Sequence, residues 1–248
     1  MKTRIPKFNL LSFVVLLSLT ILVACSPSMT VAPTSVSAAL TPSGAAIVAP
    51  ASASNVTDVD ENGSTIIDQI ATGQLSDTEI GGILYMREEE KLARDVYLTL
   101  YEAWGLPVFQ NIARSEATHL DAVKTLIGRY GLEDPAAQEI GVFTNPTLQQ
   151  LYDQLVADGS KSLADALKVG AAIEEIDILD LEERIAQTDK ADIQLVYENL
   201  MKGSRNHLRA FTSTLEKQTG EIYQPQYLDP VAYQAIVNAP KETGGMGG

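Results

Sequence analysis

Residues 76–100 read SDTEIGGILYMREEEKLARDVYLTL. Ser76-Asp77-Thr78-Glu79 is a capping box, in which hydroxyl and carboxylate satisfy each other's free backbone amides, so a helix begins here. Ile83, Met86, Glu90, Ala93, Tyr97 and Leu100 recur at helical spacing and form one inward stripe. Gly105-Leu106-Pro107 ends it. The stripe is apolar except for Glu90, and that exception recurs in every long helix that follows.

A second helix is predicted from about Pro107 to Tyr130, with Ile112, Glu116, His119, Val123 and Leu126 or Ile127 inward. Gly131 and Asp134-Pro135 stop it. A short helix follows over Pro146–Ala157, broken by Asp158-Gly159. A third long helix runs from Ser162 to about Gln187, with Leu167, Gly170, Glu174, Ile178, Leu181 and Ile185 on its stripe. Thr188-Asp189 is expected to cap a fourth, over about 190–218, with Tyr197, Leu200, Ser204, His207, Leu208, Phe211 and Leu215 inward. Gly220 ends it. No strand series is visible. Four long amphipathic helices and a short extra one predict an all-α four-helix bundle over residues 76–220. The connection between long helices two and three, about residues 131–161, is much longer than the others. A crossover of that length lets those two helices run parallel, which is ferritin-like connectivity. Residues 221–248 read as a tail rich in Tyr and Pro, then Gly.

The other end of the chain has a different character. Lys2, Arg4 and Lys7 precede an apolar run without charge, residues 10–24, in the layout of a secretory signal and too short for a comfortable membrane span. Leu22-Val23-Ala24-Cys25 resembles the lipobox of bacterial lipoproteins, with the one Cys of the chain at the required place. The resemblance implies cleavage before Cys25, a lipid on that Cys, and an extracytoplasmic protein of the cell envelope held to a membrane without spanning it. Residues 26–57 carry no charge and no aromatic ring. Such a stretch buries too little apolar surface to offset the entropy of ordering, so residues 25–75 read as a tether. Asp58, Asp60, Asn62 and Gly63 look like the start of an EF-hand loop, but Gln69 stands where the closing Glu belongs, so no calcium site is expected.

The 248 residues hold 18 Lys+Arg against 32 Asp+Glu, for a net charge of −14, and loss of residues 1–24 deepens it by three. That balance argues against nucleic acid, whose affinity comes from neutralised phosphates. It argues equally against electrostatic docking on anionic lipid. One Cys excludes a disulfide framework and a multi-Cys zinc site. Any metal site must use carboxylates and the two histidines of the chain, His119 and His207.

Those histidines both fall on inward stripes, beside carboxylates. Glu116 and His119 are one helical step apart on the second helix. Glu174 and Asp177 are similarly spaced on the third. Buried unpaired carboxylates cost several kcal/mol each, so these must be paired, protonated or metal-bound. Taken singly, each has a plainer reading: His119 as a core histidine satisfied by Glu116, His207 as an interfacial one, and Glu88-Glu89-Glu90 as a solvated face. Together they place a ligand on each of four helices, the plan of di-iron and di-manganese carboxylate bundles.

Glu90-Lys91-Leu92-Ala93-Arg94-Asp95-Val96-Tyr97 resembles the first metal helix of rubrerythrins, and Glu116-Ala117-Thr118-His119 their second-helix motif. EEEKLARDVY, SEATHLDAV, IEEIDILDL and GSRNHLRAF together are similar to a bacterial ferritin-like family, domain of unknown function 2202, over about residues 77–218. The resemblance implies two iron or manganese ions held by Glu90, Glu116, His119, Glu174 and His207, with Glu116 bridging. Ser204 departs from it, because the pattern has Glu three residues before the last His. The remaining set resembles that of manganese catalases, with Asp177 or the rival Glu175 as the missing oxygen donor. Leu179 and Glu182 suggest a wetter face for Glu175. Arg205 and Asn206 are expected to orient the cluster, while Tyr97 and Tyr101 read as packing residues, with a relay facing the site as the alternative. Three functions follow as expectations: a di-metal oxidoreductase of the peroxidase, catalase or ferroxidase type, a metal-binding or carrier lipoprotein without turnover, or a structural module with a vestigial site.

Overall fold

A computed structural model describes residues 66–243, so the signal segment, Cys25 and most of the tether lie outside the described residues. Six α-helices and one short 3-10 turn make up the described residues, without strands. They are α1 (Asp77–Trp104), α2 (Pro107–Arg129), α3 (Pro146–Gly159), α4 (Leu163–Ala186), α5 (Ala191–Thr219) and α6 (Pro230–Asn238). None of these helices is long and apolar enough to cross a membrane.

Local chemistry sets most of the boundaries. The Ser76/Glu79 capping box opens α1 as the sequence predicts, and Gly105 closes it in the left-handed conformation. Asn145 caps α3 and Asp229 caps α6, each with Pro at the first helical position, where its missing N–H has no partner to lose. Ser162 caps α4. The start of α5 differs from expectation: the cap is Lys190, without a side-chain bond, and Thr188 instead accepts the Lys190 amide through its hydroxyl. Asp189 points to solvent beside Lys190.

The helices associate in pairs. α1 packs along α2 and α4 along α5, while α2–α5 and α1–α4 contacts join the pairs. α3, inside the long connection, lies on α1 and α4. Gly170 makes the α4–α5 contact possible, since a Cβ there would come within 2.6 Å of the Phe211 ring.

Ordered structure extends beyond both ends of the bundle predicted from sequence. Ile67, in the turn Ile66–Gln69, is completely buried. Past Gly220, Tyr223, Leu228 and the α6 residue Tyr233 are buried in the core. The apolar interior forms two clusters. One contains Leu92, Val96, Phe109, Leu167, Phe211 and Leu215. The other contains Ile83, Met86, Val123, Leu126, Leu181 and Leu200. Along each long helix the polar stripe residues separate the two: Glu90 on α1, Glu116 and His119 on α2, Glu174 and Asp177 on α4, Ser204 and His207 on α5.

Candidate metal centre

Glu116 stands at the middle of this polar layer. Glu90, Glu116 and His119 offer ligand atoms within 4.8 Å of one another, and so do Glu116, Glu174 and His207. Glu116 is common to both triads. His119 Nδ1 lies 2.7 Å from Glu116 Oε2 and 3.2 Å from Glu90 Oε2. His207 Nδ1 lies 2.8 Å from Glu116 Oε1 and 3.5 Å from Glu174 Oε2. The two imidazole rings stack with centroids 5.5 Å apart. His207 presents Nδ1 because Nε2 is held by the Ser115 hydroxyl at 2.8 Å.

Several buried atoms in this layer make no hydrogen bond: Glu90 Oε1, Glu116 Oε1, Asp177 Oδ1 and His207 Nδ1. Glu116 Oε1 and His207 Nδ1 are close enough for an ion pair but lie off the line a hydrogen bond needs. Nearly all buried polar atoms in folded proteins find a partner, so a group of unpaired ones in one layer calls for a specific cause. All four atoms are of the kinds that ligate iron or manganese.

Their charges are mutually constrained. Burial pushes the Glu90 carboxyl up to about 7, against the pull of His119. Burial and the Glu116 charge raise Glu174, and burial with Glu90 and Glu174 raises Asp177 well above the usual range. Burial opposes ionisation of Glu116 too, but the two imidazoles outweigh it and hold that carboxyl low. Burial likewise works against charge on the imidazoles. The carboxylates overcome it, raising His119 strongly and His207 to about 10. A metal-free layer therefore keeps protons that a bound cation would displace.

Asp177 stands outside both triads. Its Oδ2 accepts the Ser204 hydroxyl, so the residue found where the resemblance expects Glu contacts the acid on the facing helix. Glu175, read from sequence as facing a wetter environment, is fully buried but turned away from the layer. It accepts the amides of Gln226, Tyr227 and Leu228, and so fixes the segment that leads into α6. Arg205 and Asn206 do not orient the cluster either. Both hold Glu242: Arg205 pairs with its carboxylate and Asn206 bonds to its backbone. Tyr97 faces the layer, its buried hydroxyl donating to Glu174 Oε1 at 2.5 Å, whereas Tyr101 packs on the apolar cluster.

Nor is the acidic run a solvated face, for Glu88, Glu89 and Glu90 are all buried. Glu88 accepts the amides of Thr144 and Asn145. Near it, Lys91 pairs with Asp95 at 2.5 Å and donates to the Glu139 carbonyl, while Asp95 also accepts the Gly141 amide. Arg87 pairs with Asp134. These side chains tie the long connection to α1. Sequence reasoning missed that role, although the Lys91/Asp95 spacing of four residues was a visible sign of a pair.

The chain belongs to the family described as "Uncharacterized protein domain (DUF2202)", whose model matches residues 79–240 and so includes α6. It is 55% identical over 171 residues to "Uncharacterized protein MJ0754" of Methanocaldococcus jannaschii, covering 68% of this chain and 92% of that protein. A crystal structure of hypothetical protein MJ0754 from Methanococcus jannaschii DSM 2661 matches with a TM-score of 0.69 at 53% identity, covering 70% of this chain and 99% of that one.

Proposed function

We propose that this DUF2202 member is a ferritin-like di-metal protein of the cell envelope, active towards peroxide, dioxygen or ferrous ion. α1, α2, α4 and α5 form its four-helix bundle, and the connection over residues 131–161 is the crossover that lets α2 and α4 run parallel. The observation that carries this reading is the sharing of Glu116 between two buried triads, each completed by one histidine and one further carboxylate. Two ions, iron or manganese, fit that donor set, and when bound they supply electron exchange with an oxidant.

The chain's own residues do the rest. Glu116 spans both positions. Glu90 and His119 serve one, and Glu174 and His207 the other. Ser115 fixes the His207 ring, and Tyr97 holds one Glu174 oxygen, so neither ligand needs to reorganise on binding. Asp177, braced by Ser204, offers its unpaired Oδ1 as the oxygen donor that α5 lacks. The apolar clusters on either side keep bulk water away. Attachment is through a lipid on Cys25, supported by the basic and apolar segments that precede it.

The test is metal content and turnover of the full chain, solubilised in mild detergent after expression with iron and manganese supplied. The expected result is about two metals per chain, as in carboxylate bundles of this plan, and loss of both in Glu116→Gln. Peroxide consumption or ferrous oxidation that disappears with the metal supports the oxidoreductase. Stable occupancy without turnover would leave a carrier. A folded chain that takes up no metal would refute the centre.

A further inference from the structure

The α1–α4 seam contains further carboxylates outside the two triads. Tyr85 and Glu89 are one helical step apart on α1, and Asp177, Asp180 and Arg184 follow one another along α4. Glu89 is only 5% exposed, and its Oε2 has no hydrogen-bond partner. Asp177 is 6% exposed and leaves Oδ1 equally unpaired. Asp180, partly exposed and one helical step from both Asp177 and Arg184, interacts electrostatically with Tyr85 and with Glu89. Glu89 in turn interacts electrostatically with Asp177 and Glu90.

At the outer end of the seam lies a cavity of about 430 Å³, with Tyr85, Arg184, Gly81 and Gly82 among its walls. Arg184 lies 5.3 Å from the Tyr85 ring centre, and its Nε is unpaired. Gly82 gives it room, since a Cβ there would come within 3.1 Å of the Arg184 side chain. The polar residues thus run inward from a surface cavity, past one lightly held cation, to the Ser204-bound acid beside the centre.

We propose that this seam is the loading route of the centre: a divalent first-row metal ion enters from the cavity, is taken up by Asp180 and Glu89, and passes by Asp177 to Glu90. The inference rests on the reading of the centre as a metal site. It gives Glu89 a ligand for the oxygen that the protein itself leaves unpaired, and it makes Asp177, the added donor of the centre, the inner end of the route. Carboxylate oxygens are ligands that iron and manganese accept and exchange. Arg184 must swing aside for the ion to pass.

The experiment is stopped-flow loading of the metal-free full chain in detergent with Co²⁺, followed by its visible absorption, with final occupancy by mass spectrometry. Glu89→Gln and Asp180→Asn are expected to slow loading at least about tenfold, the lower end of what a charged cleft contributes to association, with final occupancy unchanged. Arg184→Gln is expected to load as fast as wild type or faster. Wild-type loading rates in both carboxylate variants overturn the route and leave the centre standing. Equal slowing in Arg184→Gln also overturns it, because the seam then matters only as packing. Absence of Co²⁺ from the wild-type chain overturns the centre and the route with it. Asp180 is partly exposed, so its variant keeps the test decisive if Glu89→Gln fails to fold.

Discussion

Glu174 and Glu175 are neighbours in the chain and both are buried, yet they face opposite situations. Glu175 is saturated by three backbone amides of the segment leading to α6. Glu174 has Tyr97 on one oxygen and, at 3.5 Å, an imidazole near the other. The same division runs through α1. Glu88 is filled by amides of the long connection, and Asp95 by one such amide and by Lys91 and Arg94 of α1 itself, whereas Glu89 and Glu90 each keep an unpaired oxygen. The difference separates carboxylates that hold the fold from those kept open for something else. A saturated buried carboxylate prefers its charge, and an unsaturated one resists it. Glu79, filled by Ser76 and Thr188, is held down to about 2, and Glu90 is raised to about 7.

The strongest way to break this division is at Asp95. Asp95→Ala leaves Lys91 buried without its partner and is expected to cost about 3–5 kcal/mol in denaturant unfolding, with or without metal. Glu90→Gln removes an open carboxylate and should leave the metal-free chain about as stable as wild type. Equal losses in the two variants would erase the distinction.

Metal is the next largest lever. Supplied at about 100 to 1,000 times its dissociation constant, it should stabilise the chain by about 2.7–4.1 kcal/mol, read as a rise in thermal midpoint that a chelator reverses. The rise should vanish in Glu116→Gln and persist in Glu175→Gln. Glu175→Gln is itself expected to cost about 1–3 kcal/mol by weakening the acceptor that three amides share, and to expose the α6 segment to proteolysis first.

The effects of pH run in opposite directions. Glu90 and His207 have folded-state pKa values above their ordinary ones, at about 7 and about 10. Their contribution to the metal-free chain is complete at low pH and is lost as pH rises through those values. For Glu79, burial disfavours the charge, but bonds from Ser76 and Thr188 more than compensate and hold the carboxyl down to about 2. Its contribution is complete above the ordinary value of 4.5 and is lost as pH falls towards 2. Unfolding of the metal-free chain should therefore show greatest stability at mildly acidic pH. Glu79→Gln should flatten only the acid limb, and Glu90→Gln only part of the neutral one.

How much of this was readable in advance depends on the range of the interaction. The capping box at Ser76, the prolines at the start of α2 and α3 and the closing glycines act within one turn, so the sequence located the long helices closely. The stripe that carries Glu90, Glu116, His119, Glu174 and His207 follows from helical periodicity alone, and the fold brings those residues together as the two triads. Periodicity fails where a helix is covered on more than one side. Consecutive residues differ by about a quarter turn, so Glu88, Glu89 and Glu90 cannot share a face, and all three are buried only because the connection around Thr144 and Asn145 covers the Glu88 side. The same limit hid Glu175, whose partners lie some 50 residues away in a segment that reads from sequence as a tail rich in Tyr and Pro. Sequence by itself determined the helices, their inward faces and the acids and histidines those faces carry. Which acids are filled and which stay open was decided by the tertiary structure, because an amide from a distant loop can saturate a carboxylate only once the chain has folded around it.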